Sequence, residues 1–163
     1  METRFEQLSD GQVLAVIDAA LDALVSPRLG VSTDREQLDT LVASLRVDAR
    51  LHAWQTGLAA KVETSEAAWR EHGTSTTTWL AESQNLTQKE ARRLIKGGQD
   101  LDRFPIIAAA ARDGHVLPTQ MDAITTVLRH LPVDFPAQTM AEAQELMVGF
   151  AATHNSVELR RLT

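Results

Sequence analysis

Four cations stand within ten residues of one another and of a single acid: Lys89, Arg92, Arg93 and Lys96 against Glu90, between Thr87 and Lys96. With Gln88 they form a set that could read nucleic acid. Glutamine can bond an adenine edge in two places, and arginine can fork onto guanine. Lysine, with the amides at a helix N-terminus, can hold phosphates. The setting is unexpected, because the chain has 16 Lys+Arg against 22 Asp+Glu and a formal net charge of −6. Such a balance excludes a protein that coats nucleic acid over its whole surface, though one basic patch is compatible with it.

These residues act together only if a helix aligns them. Thr87-Gln88-Lys89-Glu90 is a capping box, so a helix is expected to begin there. Residues 76–98 then read as a helix-turn-helix-like unit: a first helix Thr76–Ser83, a turn Gln84-Asn85-Leu86, and a second helix Thr87–Lys96. Ala81 supplies a small residue for the crossing. Asn85 replaces glycine as the residue that tolerates a left-handed turn. Leu86, Ala91, Leu94 and Ile95 provide the apolar plug and inner face. The remaining face carries Gln88, Lys89, Arg92, Arg93 and Lys96, with Arg92 and Lys96 expected on phosphates and Gln88 and Lys89 nearest the bases. The plainer alternative is a bundle helix with a solvated basic face, in which Glu90 and Arg93 pair within the helix.

The surrounding chain also reads as helix throughout. Tyrosine is absent, aromatics make up 4%, and no stretch alternates apolar and polar residues for long. Ser9-Asp10 caps a first helix whose apolar positions are Val13, Leu14, Ile17, Leu21, Leu24 and Val25, closed by Pro27 and Gly30. Residues 1–40 hold eight acids and three bases and should avoid phosphate. A capping box at Thr33–Glu36 opens a long pattern through Leu38, Leu41, Val42, Leu45, Leu51, Trp54, Leu58, Val62 and Trp69. Unbroken to residue 71, it would span about 57 Å and offer an apolar seam to a second copy, with Gly57 a candidate bend. His72-Gly73 ends it, and Thr74 or Ser75 caps the next helix. Gly97-Gly98 are expected to weaken or stop the basic helix, and Asp102 to cap the following one, which Gly114 ends. Pro118 and Pro136 sit at first helical positions ahead of Met121–Leu131 and Met140–Ala152. Ser156 caps a last helix that the chain leaves at Thr163, from which a longer native protein is expected.

No other constellation supports chemistry. The five histidines, His52, His72, His115, His130 and His154, show no i,i+4 pairing and no H-E-x-x-H spacing. His154-Asn155 reads as a helix terminus. Asp100 and Asp102 are too close in sequence to face one another across a substrate. Trp54, Trp69 and Trp79 are expected to anchor the core, and Arg160-Arg161 reads as a solvated face. Cysteine is absent, which removes disulfides and thiolate metal sites and fits a reducing cytoplasm. No run reaches the ~18–20 apolar residues of a membrane span, and no small-molecule site is evident. No cofactor or metal is expected, and this chain is not expected to be an enzyme.

Several stretches in one order carry a family likeness: TSTTTWLAESQNLTQKEARRLI, then AAARDGHVLPTQMDAI, LRHLP and a final ELRRLT. From Leu41 to Leu162 the chain resembles the helical domain of actinobacterial thirteen-E-twelve repeat (13E12) proteins. That domain is known as domain of unknown function 222 and usually precedes an HNH endonuclease domain. The resemblance implies a cytoplasmic protein that keeps company with DNA. It transfers no catalytic residue, since the HNH ligands would lie in a C-terminal domain.

The sequence thus predicts an all-α multi-helix bundle with one long helix and an embedded helix-turn-helix-like unit at 76–98. An N-terminal acidic helix and linker, 1–32, would precede a helical domain, 33–163. The favoured function is contact with duplex DNA through helix 87–96, as part of an HNH-associated or regulatory protein. The alternative is an oligomerisation or scaffold module, a homodimer paired through the long helix 33–71 without touching nucleic acid.

Overall fold

The computed structural model describes residues 5–24, 30 and 32–162, and the fold is all-α. After a short 3-10 turn at Phe5–Gln7, the described residues form nine helices and no strand. They are α1 (Asp10–Asp22), α2 (Asp34–Thr64), α3 (Ala67–His72), α4 (Thr76–Gln84), α5 (Gln88–Arg103), α6 (Pro105–Arg112), α7 (Pro118–Arg129), α8 (Ala137–Ala151) and α9 (Ser156–Leu159). Two packing units divide at Thr40–Leu41, inside α2.

In the first unit, Ser9 caps α1 and exchanges hydrogen bonds with Gln12, as the capping signal predicts. No residue of α1 is buried. Val25 and Pro27, expected to finish this helix, lie outside the described residues. Thr33 opens α2: its amide donates to the Glu36 carboxylate at 2.7 Å, and the Glu36 amide donates back to the Thr33 hydroxyl.

The second unit is organised around the rest of α2. Ala49, Ala53, Thr56 and Ala60 recur at spacings of four and three and are buried, so α2 presents a seam of small side chains. Two glycines pack closely against α2, the first on this seam and the second beside Arg46. A Cβ on Gly98 of α5 would overlap the Thr56 carbonyl and lie 2.7 Å from the Ala60 methyl. A Cβ on Gly114, which follows α6 with φ +74°, would overlap the Arg46 side chain. Arg46 and Arg50 finish this contact by donating from Nε to the carbonyls of Asp113 and Arg112, each at 3.0 Å. Carbonyls at the end of α6 that lack intrahelical partners are thereby satisfied.

The core lies beyond this seam, where Phe104, Ile107, Val116, Ile124, Leu128 and Leu159 are fully buried among alanines of α6 and α7. Two glutamines close its helix ends. The buried Gln144 side chain accepts from the Ile106 amide at 3.1 Å, serving the first turn of α6 where Phe104 offers no cap. Gln120 accepts from the Leu117 amide and donates to the carbonyls of Ala151 and His154, tying the start of α7 to the end of α8.

Several sequence expectations need correction. The long helix stops at Thr64, not near residue 71, because Glu66 takes a left-handed conformation (φ 55°). It passes through Gly57 without ending. Gly97-Gly98 do not stop α5; they are the residues that let it approach α2. Asp102 therefore lies inside α5, and Phe104-Pro105 makes the break to α6, since proline tolerates only a first turn. Pro118 does open α7, but Pro136 is the cap of α8 rather than its first residue. Asn155, not Ser156, caps α9, accepting from the amides of Val157 and Glu158, so it begins a helix instead of ending one. No tryptophan is buried: Trp54 and Trp79 are half-covered, and Trp69 is exposed. Alanines, aliphatic side chains, two methionines and one phenylalanine fill the core instead.

Two glycines in long helices should respond oppositely to alanine. Gly98→Ala is expected to lower the unfolding free energy by about 1–3 kcal/mol, because a methyl there displaces the α2 backbone. Gly57→Ala, with nothing within 4 Å of the added carbon, is expected to raise it by about 0.5–1 kcal/mol through helix propensity. Urea titration of the three proteins measures both.

Candidate nucleic-acid interface

The geometry starts at Asn85. Its φ of 56° turns the chain left-handed at the end of α4, and α5 begins three residues later. The capping box forms: the Thr87 amide donates to Glu90 at 2.7 Å and the Glu90 amide to the Thr87 hydroxyl at 3.2 Å. The Thr87 amide and, at 2.8 Å, the Thr87 hydroxyl both donate to the Glu90 carboxylate and hold it below its ordinary value. Glu90 is thus occupied at the cap and does not pair with Arg93 inside the helix.

The inner face of α5 is Ala91, Ile95, Gly98 and Leu101, all buried, with Leu94 half-buried. Ala81 of α4 is half-covered and Leu86 sits half-buried in the turn. All five expected contact residues, Gln88, Lys89, Arg92, Arg93 and Lys96, are exposed. Helical phase then separates them. Gln88, Lys89, Arg92 and Lys96 fall on one face at spacings of three and four. Among the described residues, Lys89, Arg92 and Lys96 enter no ion pair. Arg93 turns toward α7, where its Nη2 lies 3.1 Å from Asp122 Oδ2.

Because α5 continues past Gly98, the face is longer than the sequence suggested. Gln99 and Arg103 extend the Arg92–Lys96 row and are exposed. The Arg103 guanidinium also covers the Phe104 ring, 5.2 Å from its centre. The row from Lys89 to Arg103 covers about 21 Å of helix. Sequence reading missed these two residues by ending the helix at the glycines, although the three-and-four spacing continues through them.

Beside this row, residues of α2, α5 and α7 line a groove of about 280 Å³. His52, Thr56, Arg93, Lys96, Asp100, Asp122 and Arg129 are among its lining residues. Its charges largely cancel. Asp100 is buried, and Arg129 Nε lies 3.6 Å from its Oδ1. Burial raises the Asp100 carboxyl, opposed by Arg129, Lys96 and Arg103. No group of three or more metal-ligating side chains occurs among the described residues, and no described helix is long and apolar enough to cross a membrane.

His52 lines the same groove from α2. Burial lowers its pKa, Asp48 on its own helix and Asp122 on α7 raise it, and Arg93 on α5 lowers it. A histidine held below its ordinary 6.5 leaves the unfolded chain binding more protons just under that pH. Its stabilisation is therefore complete above about pH 6.5 and lost as pH falls toward the folded value. Denaturation midpoints measured between pH 7.5 and 5 should decline more steeply for the wild type than for His52→Gln.

No curated protein and no solved structure matches this chain. The family model described as "Domain of unknown function (DUF222)" matches residues 39–163, and the chain belongs to that family.

Proposed function

We propose that this domain contacts duplex DNA with the exposed face of α5. The observation that carries the reading is a row of Lys89, Arg92 and Lys96, unpaired among the described residues and continued by Arg103, in a chain whose other charges are mostly acidic or engaged. The left-handed turn at Asn85 and the packing of α4 against α5 support a helix-turn-helix mode of approach. In that mode Gln88 and Lys89, in the first turn, face base edges, while Arg92 and Lys96 hold phosphates. Arg93 adds charge at the edge, next to Asp122. The acidic remainder keeps the other surfaces off the phosphates. The domain would act within a cytoplasmic protein working on DNA, as a regulator or alongside an HNH nuclease domain, with no catalytic residue of its own.

Fluorescence anisotropy of the chain on a short labelled duplex, titrated with KCl, tests the reading. Binding should weaken linearly in log Kd against log salt. Arg92→Ala should reduce that slope by about one unit, as expected when one phosphate fewer is neutralised. Association that is absent, or indifferent to salt and to Arg92→Ala, would sink the proposal.

A second reading has its own observation. On the first turns of α2, Leu38, Leu41, Val42 and Leu45 recur as a helical seam and remain 64%, 60%, 66% and 48% exposed. A seam of this spacing suits pairing with a second copy, giving an oligomerisation module or a dimeric DNA binder. Sedimentation equilibrium should then show a dimer that Leu41→Glu with Leu45→Glu converts to monomer. A wild-type monomer at high concentration would remove this reading and leave the first untouched.

A further inference from the structure

We infer that the nucleic-acid face is composite, and that Arg160 joins Arg93 to seat a second backbone phosphate beside α5. This deepens the DNA-binding reading and rests on it. The juxtaposition is specific. Nη2 of Arg93 on α5 and Nη2 of Arg160, just after α9, lie 3.1 and 3.0 Å from the same oxygen, Asp122 Oδ2. One carboxylate thus gathers two guanidiniums that are 67 residues apart in sequence, and the trio keeps one positive charge.

Each partner is positioned by packing. Asp122 stands on α7 between the buried Met121 and Ala123. Leu159, fully buried, precedes Arg160, and Asn155 caps the short helix that delivers both. The Arg93 and Arg160 side chains stay 65% and 50% exposed, whereas Asp122 is 30% exposed. The acid therefore sits beneath and the guanidiniums face outward. Every guanidinium has five N–H donors in a planar fork, and each of these two gives one to Asp122. The other donors remain for an anion, and with both guanidiniums anchored on Asp122 a phosphodiester oxygen meets two forks at a small entropic cost.

The neighbouring charges permit this. Glu90 and Asp100 share the groove, but Glu90 is held by Thr87, and Asp100 faces Arg129. Lys96 lines the same groove from the α5 row. The ligand class is the nucleic-acid backbone, read without regard to sequence.

The test uses the anisotropy assay on the 163-residue chain. Arg160→Ala should weaken binding roughly three- to tenfold near physiological salt and lower the salt slope by about one unit, matching Arg92→Ala. Arg160→Gln keeps a donor for Asp122 and drops the charge, so it should lose as much as the alanine variant; a purely structural role would be preserved. If Arg160→Gln binds like the wild type while Arg92→Ala is weakened, the composite site is wrong and the α5 reading stands. If the wild type shows no salt-dependent binding, both fall.

Discussion

The contact on which the domain depends is the approach of α5 to α2 at Gly98. A side chain at that position would occupy the Thr56 carbonyl, so the two backbones meet with no cushion of side chains between them. The seam of Ala49, Ala53, Thr56 and Ala60 makes α2 flat enough for this, and Gly114, after α6, comes as close to α2 at Arg46. Helices packed this closely exchange many weak contacts over a short distance. The larger side chains are displaced to the far side, where Phe104 and the isoleucines of α6 and α7 fill the space. The tryptophans are left at the margins, and Trp79 stacks on His72 instead of entering the core.

From the same contact follows the direction of α5. With Gly98, Ile95 and Ala91 facing inward, Lys89, Arg92, Lys96 and Arg103 must face out. Other cations also have partners within the chain. Arg46 and Arg50 close the end of α6, Arg129 lies against Asp100, and Arg93 and Arg160 share Asp122. An acidic chain can present a basic face because the packing of α5 sets Lys89, Arg92, Lys96 and Arg103 together on its outer side. The charge visible to a partner depends on that placement, and net charge alone does not report it.

Local signals were readable to the residue. The cap at Ser9, the capping boxes at Thr33 and Thr87, the left-handed turn at Asn85, the glycine stop at Gly73 and the proline start at Pro118 all depend on a few adjacent atoms. Failures came where a residue has two uses. Gly97-Gly98 look like a helix stop and serve as a crossing, a choice made by Thr56, some forty positions earlier. Asp102 looks like a cap and lies in the last turn of α5 for the same reason. Asn155 looks like an ending because asparagine suits either end of a helix.

The sequence by itself determined that the chain is helical, where most helices begin, and that Gln88, Lys89, Arg92, Arg93 and Lys96 share one helix. Hydrogen-bonding groups, side-chain periodicity and turn residues act over three or four positions, so that information is local. Tertiary structure decided the rest. It carried α5 through its glycines to Arg103, turned Arg93 away to Asp122, and brought Arg160 to the same carboxylate. Those outcomes depend on close-packed backbones and on ion pairs between distant segments, whose partners no spacing along the chain identifies.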